Sequence, residues 1–176
     1  MSAFGKQRRA SRESNMDFNK VWQNFMDLVQ NHYMDFNGRI GRAQYWYFIL
    51  VCFVIGIIAA IVDAVVGMRI IGALVGLALL LPMGGASARR FQDTGRSGQP
   101  LWIWVIVSGI YQLLALLIAL SGPLGMFYFF ITFGWLIGLI GLLFLVATIA
   151  IIYFCAQPGQ AGDNQYGPSP PAWTPN

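Results

Sequence analysis

Charge is what this 176-residue sequence has least of. Asp, Glu, Lys and Arg make up 10% of it and hydrophobic residues 57%, whereas a soluble domain carries about a quarter charged residues. There is one histidine, His32, and two cysteines, Cys52 and Cys155, each inside an apolar run and without a CxxC partner. Metal and redox chemistry have no ligand set to work with, so no cofactor is expected, and the cysteines read as small packing residues. The sequence holds no HExxH, no His cluster and no nucleophile with a base in reach, which argues for a non-enzymatic protein. Nor is there a basic soluble domain to hold nucleic acid once the apolar stretches are set aside.

What is abundant is apolar length. Four runs stand out, Tyr45 to Val66, Ile70 to Ala88, Leu101 to Leu120 and Met126 to Ala156. A helix rises about 1.5 Å per residue and needs roughly 20 residues to cross a hydrocarbon core of about 30 Å, so each run predicts one transmembrane helix. The fourth exceeds one straight span, which implies either a tilted helix or a start near residue 130, by Phe133, after the aromatic stretch MFYFFITF. Only GMR separates the first two runs and SGPLG the last two, so two tight antiparallel hairpins are expected. The expected fold is all-α: a polytopic membrane protein with four transmembrane helices in residues 37–156, at about 45–66, 70–88, 101–120 and 130–156. The first run begins too far from the N-terminus for a secretory signal, so it is expected to stay in the membrane.

The few charges are clustered. Of the 11 Lys and Arg residues, Lys6, Arg8, Arg9, Arg12, Lys20, Arg39 and Arg42 precede the first run, and Arg89, Arg90 and Arg96 lie between the second and third. The positive-inside rule then puts the N-terminus, the Arg89–Pro100 connection and the C-terminus in the cytoplasm. Residues 1–15 read as a flexible basic segment. Within 16–36, Phe18, Val21, Trp22, Phe25, Val29 and Tyr33 fall at helical spacing opposite Lys20, Gln23, Asn24, Asp27, Gln30 and Asn31, an amphipathic cytoplasmic helix either packed on the bundle or lying on the inner leaflet. Residues 157–176 are a Pro/Gly-rich tail, mobile or irregular apart from a specific turn at GDNQYGP.

Two polar motifs interrupt the apolar pattern. In NGRIGRAQYWYF, Asn37 is placed to cap the first transmembrane helix, with Arg39 and Arg42 in its first turn. Cations there oppose the helix dipole at about 0.3 to 1 kcal/mol each, so an anion should compensate: a lipid phosphate, with Tyr45 and Trp46 as aromatic belt, or an acidic side chain such as Asp35 or Asp93. Generic positive-inside anchoring accounts for the same arginines. In RRFQDTGRSGQP, Arg89 and Asp93 are four apart on an extension of the second helix, Gly95 suits its C-terminal stop and Pro100 the first turn of the third. GRSG lacks the nucleotide-loop pattern. Within the apolar runs the only acid is Asp63, near the outer end of the first and close to Arg69, which favours an interfacial contact over a proton relay. Gly72 with Gly76, and Gly134 with Gly138, are spaced for close helix contact within the bundle or in a homo-oligomer.

Taken together, FNGRIGRAQYWYF, RRFQDTGRSG and GDNQYGP resemble the YhaH-like family of small bacterial inner-membrane proteins, a domain of unknown function, over roughly Trp22 to Pro168. The resemblance implies a four-helix protein of the bacterial cytoplasmic membrane. The family pattern GRxxRxxYW falls on Gly38, Arg39, Arg42, Tyr45 and Trp46, and RRxxDxGxSG on Arg89, Arg90, Asp93, Gly95, Ser97 and Gly98. Phe91 and Gln92 stand where relatives commonly carry a small aliphatic residue and His, and Gln165 stands at an often basic position. The expected chemistry is a cytoplasmic cluster of Arg39, Arg42, Arg89, Arg90, Asp93 and Arg96 that binds anionic lipid headgroups or a membrane-protein partner. The alternative is a small transporter or channel component acting as an oligomer, with Asp63 on its path.

Overall fold

The computed structural model describes residues 18–67 and 70–173, so the expectations for residues 1–15 and for Arg69 lie outside the described residues. Five helices follow in order: α1 over residues 18–30, α2 Arg42–Val66, α3 Ile71–Asp93, α4 Pro100–Leu120 and α5 Gly122–Ala156. No strand occurs among the described residues, only an isolated bridge between Asn164 and Gly167. The last four helices are long and apolar enough to cross a membrane. The α3 helix packs between α2 and α4, and α5 lies against α4 and α3.

Local chemistry fixes the helix ends. Gly67 stops α2 with a positive φ of 74° and returns its N–H to the Asp63 carbonyl, as a left-handed C-terminal glycine does. Pro100 occupies the first turn of α4, where its missing N–H costs nothing. Ser121 alone separates α4 from α5, with Gly122 at φ 74° and Pro123 beginning the last helix. That punctuation leaves the long-helix reading of the fourth run and corrects the other, a start near residue 130 after an irregular aromatic stretch: MFYFFITF is helical, and α5 runs for 35 residues, about 52 Å at 1.5 Å each. This is longer than a hydrocarbon core of about 30 Å, as a tilted span requires.

Asn37 does not cap α2, which corrects a second expectation. The helix begins only at Arg42 behind Gly41, and the Asn37 N–H donates instead to Asp35 Oδ1 at 3.1 Å. Arg39 therefore sits on an extended segment ahead of the helix and is free of the dipole penalty.

The core lies at the end of the bundle where α2 and α4 begin and α3 and α5 finish, called here the polar end. Phe25 and Leu28 of α1 enter it with Phe36, Ile40, Phe48 and Leu101. So α1 packs on the bundle, while Phe18 and Trp22 stay exposed on its first turns. Small residues on α3 admit the 35–36 segment: a Cβ at Gly85 would lie 2.7 Å from the Asp35 carbonyl oxygen, and one at Gly84 would strike Val105. Pro82, within α3, has no N–H for the carbonyl four residues back, that of Ala78. The Tyr33 hydroxyl donates to that carbonyl at 2.6 Å.

Candidate functional site

The two polar motifs meet at the polar end. Arg39 Nε donates to Asp93 Oδ1 at 3.0 Å, and its Nη2 lies 2.9 Å from the same oxygen. Its remaining donors go to the tail: Nη1 to the carbonyls of Gly162 at 2.6 Å and Gly167 at 3.2 Å, and Nη2 to that of Gln160 at 2.6 Å. A guanidinium has five N–H groups in a rigid plane, and here that plane is filled. Arg90 pairs with the second oxygen of Asp93 and donates to the carbonyls of Cys155, at 2.9 Å from Nε, and of Gln157. All three charged side chains are almost wholly buried. Two arginines on one carboxylate leave the cluster with one excess positive charge.

The tail closes over this cluster. The Gln160 N–H donates to the Asp93 carbonyl at 2.8 Å, and Asn164 and Gly167 exchange backbone hydrogen bonds of 3.1 and 3.0 Å. Asn164 Nδ2 reaches the Gln92 carbonyl at 2.9 Å, and the Trp173 ring meets that of Tyr47 at a tilt of 53°, 5.2 Å between ring centroids. Of the two expectations for the tail, mobile or irregular, residues 157–173 show the second, an irregular path bonded to α3 and to Arg39. The turn expected at GDNQYGP is present, and Gly162 and Gly167 have the positive φ it needs.

Arg89 does not join Asp93. On α3 the partner of Asp93 is Arg90, three residues back, and Arg89 turns to the other side, 3.9 Å from Asp35. Its side chain is 7% exposed, and its Nε and Nη2 lack partners. Asp35 also accepts from Asn37 and from the ring of His32. Partial burial pushes its carboxyl up, but the Asn37 N–H, His32 and Arg89 outweigh that and hold it below the usual range.

Arg42 and Arg96 remain exposed. Arg96 lies over the Phe154 ring at 4.6 Å. Tyr45 is buried with its hydroxyl 3.2 Å from Ser87 Oγ, and Trp46 is half-buried edge-on to it. At the opposite end, both oxygens of Asp63 accept backbone N–H groups at the start of α3, from Ile71 at 2.9 Å and Gly72 at 2.8 Å. The carboxylate caps a helix. Gly72 makes room for it and Gly76 for Gln112, whereas Gly134 and Gly138 face open space. Among the described residues no three His, Cys, Asp or Glu side chains gather to hold a metal.

Sequence reasoning passed over Tyr33, Gln92 and the tail carbonyls. Tyr33 had a signal, since Pro82 announces an orphan carbonyl at Ala78. Gln92 donates to the Phe36 carbonyl at 2.9 Å, and neither it nor the tail carbonyls carry any local mark of their role.

Four candidate spans and a buried charge cluster that fastens the tail define a polytopic helical membrane protein with a clasped polar end. The chain belongs to the DUF805 family, described as a protein of unknown function, whose family model matches residues 33–168. It is similar to the inner membrane protein YhaI of Escherichia coli K12, 27% identical over 149 residues, 83% of this chain and 93% of that one. It is also similar to inner membrane protein YhaH of the same strain, 29% identical over 149 residues, 81% of this chain and 92% of that one. No solved structure matches it significantly.

Proposed function

We propose that the protein is a non-enzymatic component of the bacterial cytoplasmic membrane whose polar end faces the cytoplasm and binds anionic lipid headgroups through Arg42 and Arg96. The supporting observation is the division of labour among the arginines. Arg39 and Arg90 are buried and spent on Asp93 and on backbone carbonyls, whereas Arg42 and Arg96 stand exposed beside a cluster with an unbalanced positive charge. Each cation near an anionic leaflet contributes about 1 kcal/mol, and the excess charge beneath adds to the attraction. Trp102, 41% exposed and stacked on Phe36 at 3.7 Å, and Trp46 supply an aromatic belt at this end. The concentration of basic residues at the same end supports the cytoplasmic orientation.

Native mass spectrometry of gently extracted protein tests this reading. Phosphatidylglycerol or cardiolipin should remain on the wild type and leave when Arg42→Ala and Arg96→Ala are combined. Unchanged retention in that double variant would refute the headgroup role. A protein co-purifying in place of lipid would make the same surface a docking site. Labelling of single cysteines placed at positions 42 and 96, in intact cells and in inverted vesicles, tests the orientation.

A further inference from the structure

Away from the polar end, α4 and α5 form an apolar slot of about 470 Å³, walled by Val107 and Tyr111 of α4, Phe129, Phe130 and Ile140 of α5, and Ala73 of α3. Small-molecule sites run from about 300 to 1,000 Å³, so the slot has the size of one. The chain closes both of its ends. Ser121 joins the two helices at one end. At the other, Trp104 stacks on Phe144 at 5.8 Å, and its Nε1 donates to Thr148 Oγ1 at 3.4 Å. Ala115 and Ala119 are the small side chains of the α4 wall, and they leave the space between the two ends unfilled.

Tyr111 brings the one polar side chain among the lining residues. It stands about 15 Å from either end of α4, near the middle of the span. The residue is 53% exposed, and its hydroxyl has no hydrogen-bond partner among the described residues. The next residue, Gln112, also makes no side-chain hydrogen bond there, and its Oε1 lies against Gly76, one turn of α3 from Ala73. This layer of the span therefore has donors without acceptors. No water reaches hydrocarbon to satisfy them, so an unpaired hydroxyl at this depth is costly. The slot calls for an acceptor carried to the middle of the bilayer. A phospholipid phosphate does not supply it, because taking a charge to that depth is expensive. The carrier is then uncharged and lipid-soluble. Two phenylalanine rings and the tyrosine ring line the slot, and aromatic faces pair with a flat ring in offset or edge-on contact. A carbonyl oxygen on a flat, lipid-soluble ring is the chemistry of a quinone.

We propose that this slot binds a quinone, with a ring carbonyl accepting from the Tyr111 hydroxyl, the ring against Phe129 and Phe130, and the hydrocarbon tail leaving through the side open to lipid. The site is separate from Arg42 and Arg96 and does not depend on their role.

The full chain in nanodiscs of phosphatidylethanolamine and phosphatidylglycerol, titrated with decylubiquinone, reads this through quenching of tryptophan fluorescence, because Trp104 closes the slot. The wild type should show a saturable component above the linear quenching that partition into the bilayer gives. Tyr111→Phe keeps the ring and breaks no hydrogen bond of the fold. It should weaken the saturable binding by up to about tenfold, the worth of one hydrogen bond, with thermal stability as in the wild type. Ala115→Phe fills the slot and should abolish the saturable component, and Tyr111→Phe keeps the test valid if that larger side chain disturbs folding. Linear quenching throughout would leave the slot to acyl chains and overturn the proposal, as would equal affinity in Tyr111→Phe. A dimer that Ala115→Phe splits, without saturable quenching, would overturn it in favour of a second copy of the chain.

Discussion

Arg39 and Asp93, 54 positions apart, form a buried ion pair of 2.9 Å in which the arginine also holds three carbonyls of the C-terminal tail. One guanidinium thus ties together the approach to α2, the end of α3 and the segment after α5. A charge with so many fixed partners is a structural element, which leaves Arg42 and Arg96 as the arginines of the proposed headgroup contact.

Removing one member of a buried pair leaves the other charge uncompensated, at about 3 to 5 kcal/mol. Asp93→Ala, which strands both Arg39 and Arg90, is expected to lose at least that order of stability in thermal unfolding in detergent, Arg39→Ala to lose less because Asp93 stays paired with Arg90 while the hydrogen bonds to the tail are given up, and Arg42→Ala to lose little. Arg39→Lys should behave more like the alanine variant, because an ammonium has neither the plane nor the number of donors that the tail carbonyls use.

Tyr33→Phe leaves the Ala78 carbonyl without a donor and should cost about 1 to 3 kcal/mol. Pro82→Ala restores an N–H to that carbonyl, so in the Pro82→Ala background the same tyrosine substitution should cost much less. A double-mutant cycle in thermal stability checks the coupling.

Asp63→Ala removes the cap at the start of α3 and should destabilise the α2–α3 hairpin by about 0.5 to 2 kcal/mol. Hydrogen exchange at the amides of Ile71 and Gly72 should rise. If Asp63 served a transport path instead, its substitution would change solute or ion flux in proteoliposomes while leaving those amides protected.

Asp35 gives a pH dependence whose sign follows from its lowered pKa. Its contribution to stability is fully present above the unfolded carboxylate value of about 3.9 and is lost as pH falls through the lower folded value. The stability difference between wild type and Asp35→Asn should therefore be flat above about pH 5 and shrink in acid. A difference that grew in acid would reverse the assignment.

The spans were legible because twenty-residue apolar runs and Gly or Pro punctuation are local properties, as at Gly67, Gly95 and Pro100. The cluster was legible only as a gathering of charges. Arg89 and Arg90 stand four and three residues from Asp93, both spacings allow contact on a helix, and only the packing of α3 against the 35–36 segment selects Arg90. The grip of Arg39 on the tail was hidden for another reason. Its acceptors are main-chain carbonyls more than 120 residues away, and a carbonyl has no side-chain signature. The start of α5 stayed open between two readings because aromatic residues are modest helix formers on intrinsic scales, which gives little guidance for a segment solvated by lipid.

Hydrogen exchange across residues 157–168 in the wild type, Arg39→Ala and Arg42→Ala tests the clasp most directly. The account predicts protected amides at Gln160, Asn164 and Gly167 in the wild type and in Arg42→Ala, and rapid exchange in Arg39→Ala. A tail that stays protected in Arg39→Ala, or one released equally by Arg42→Ala, would contradict it.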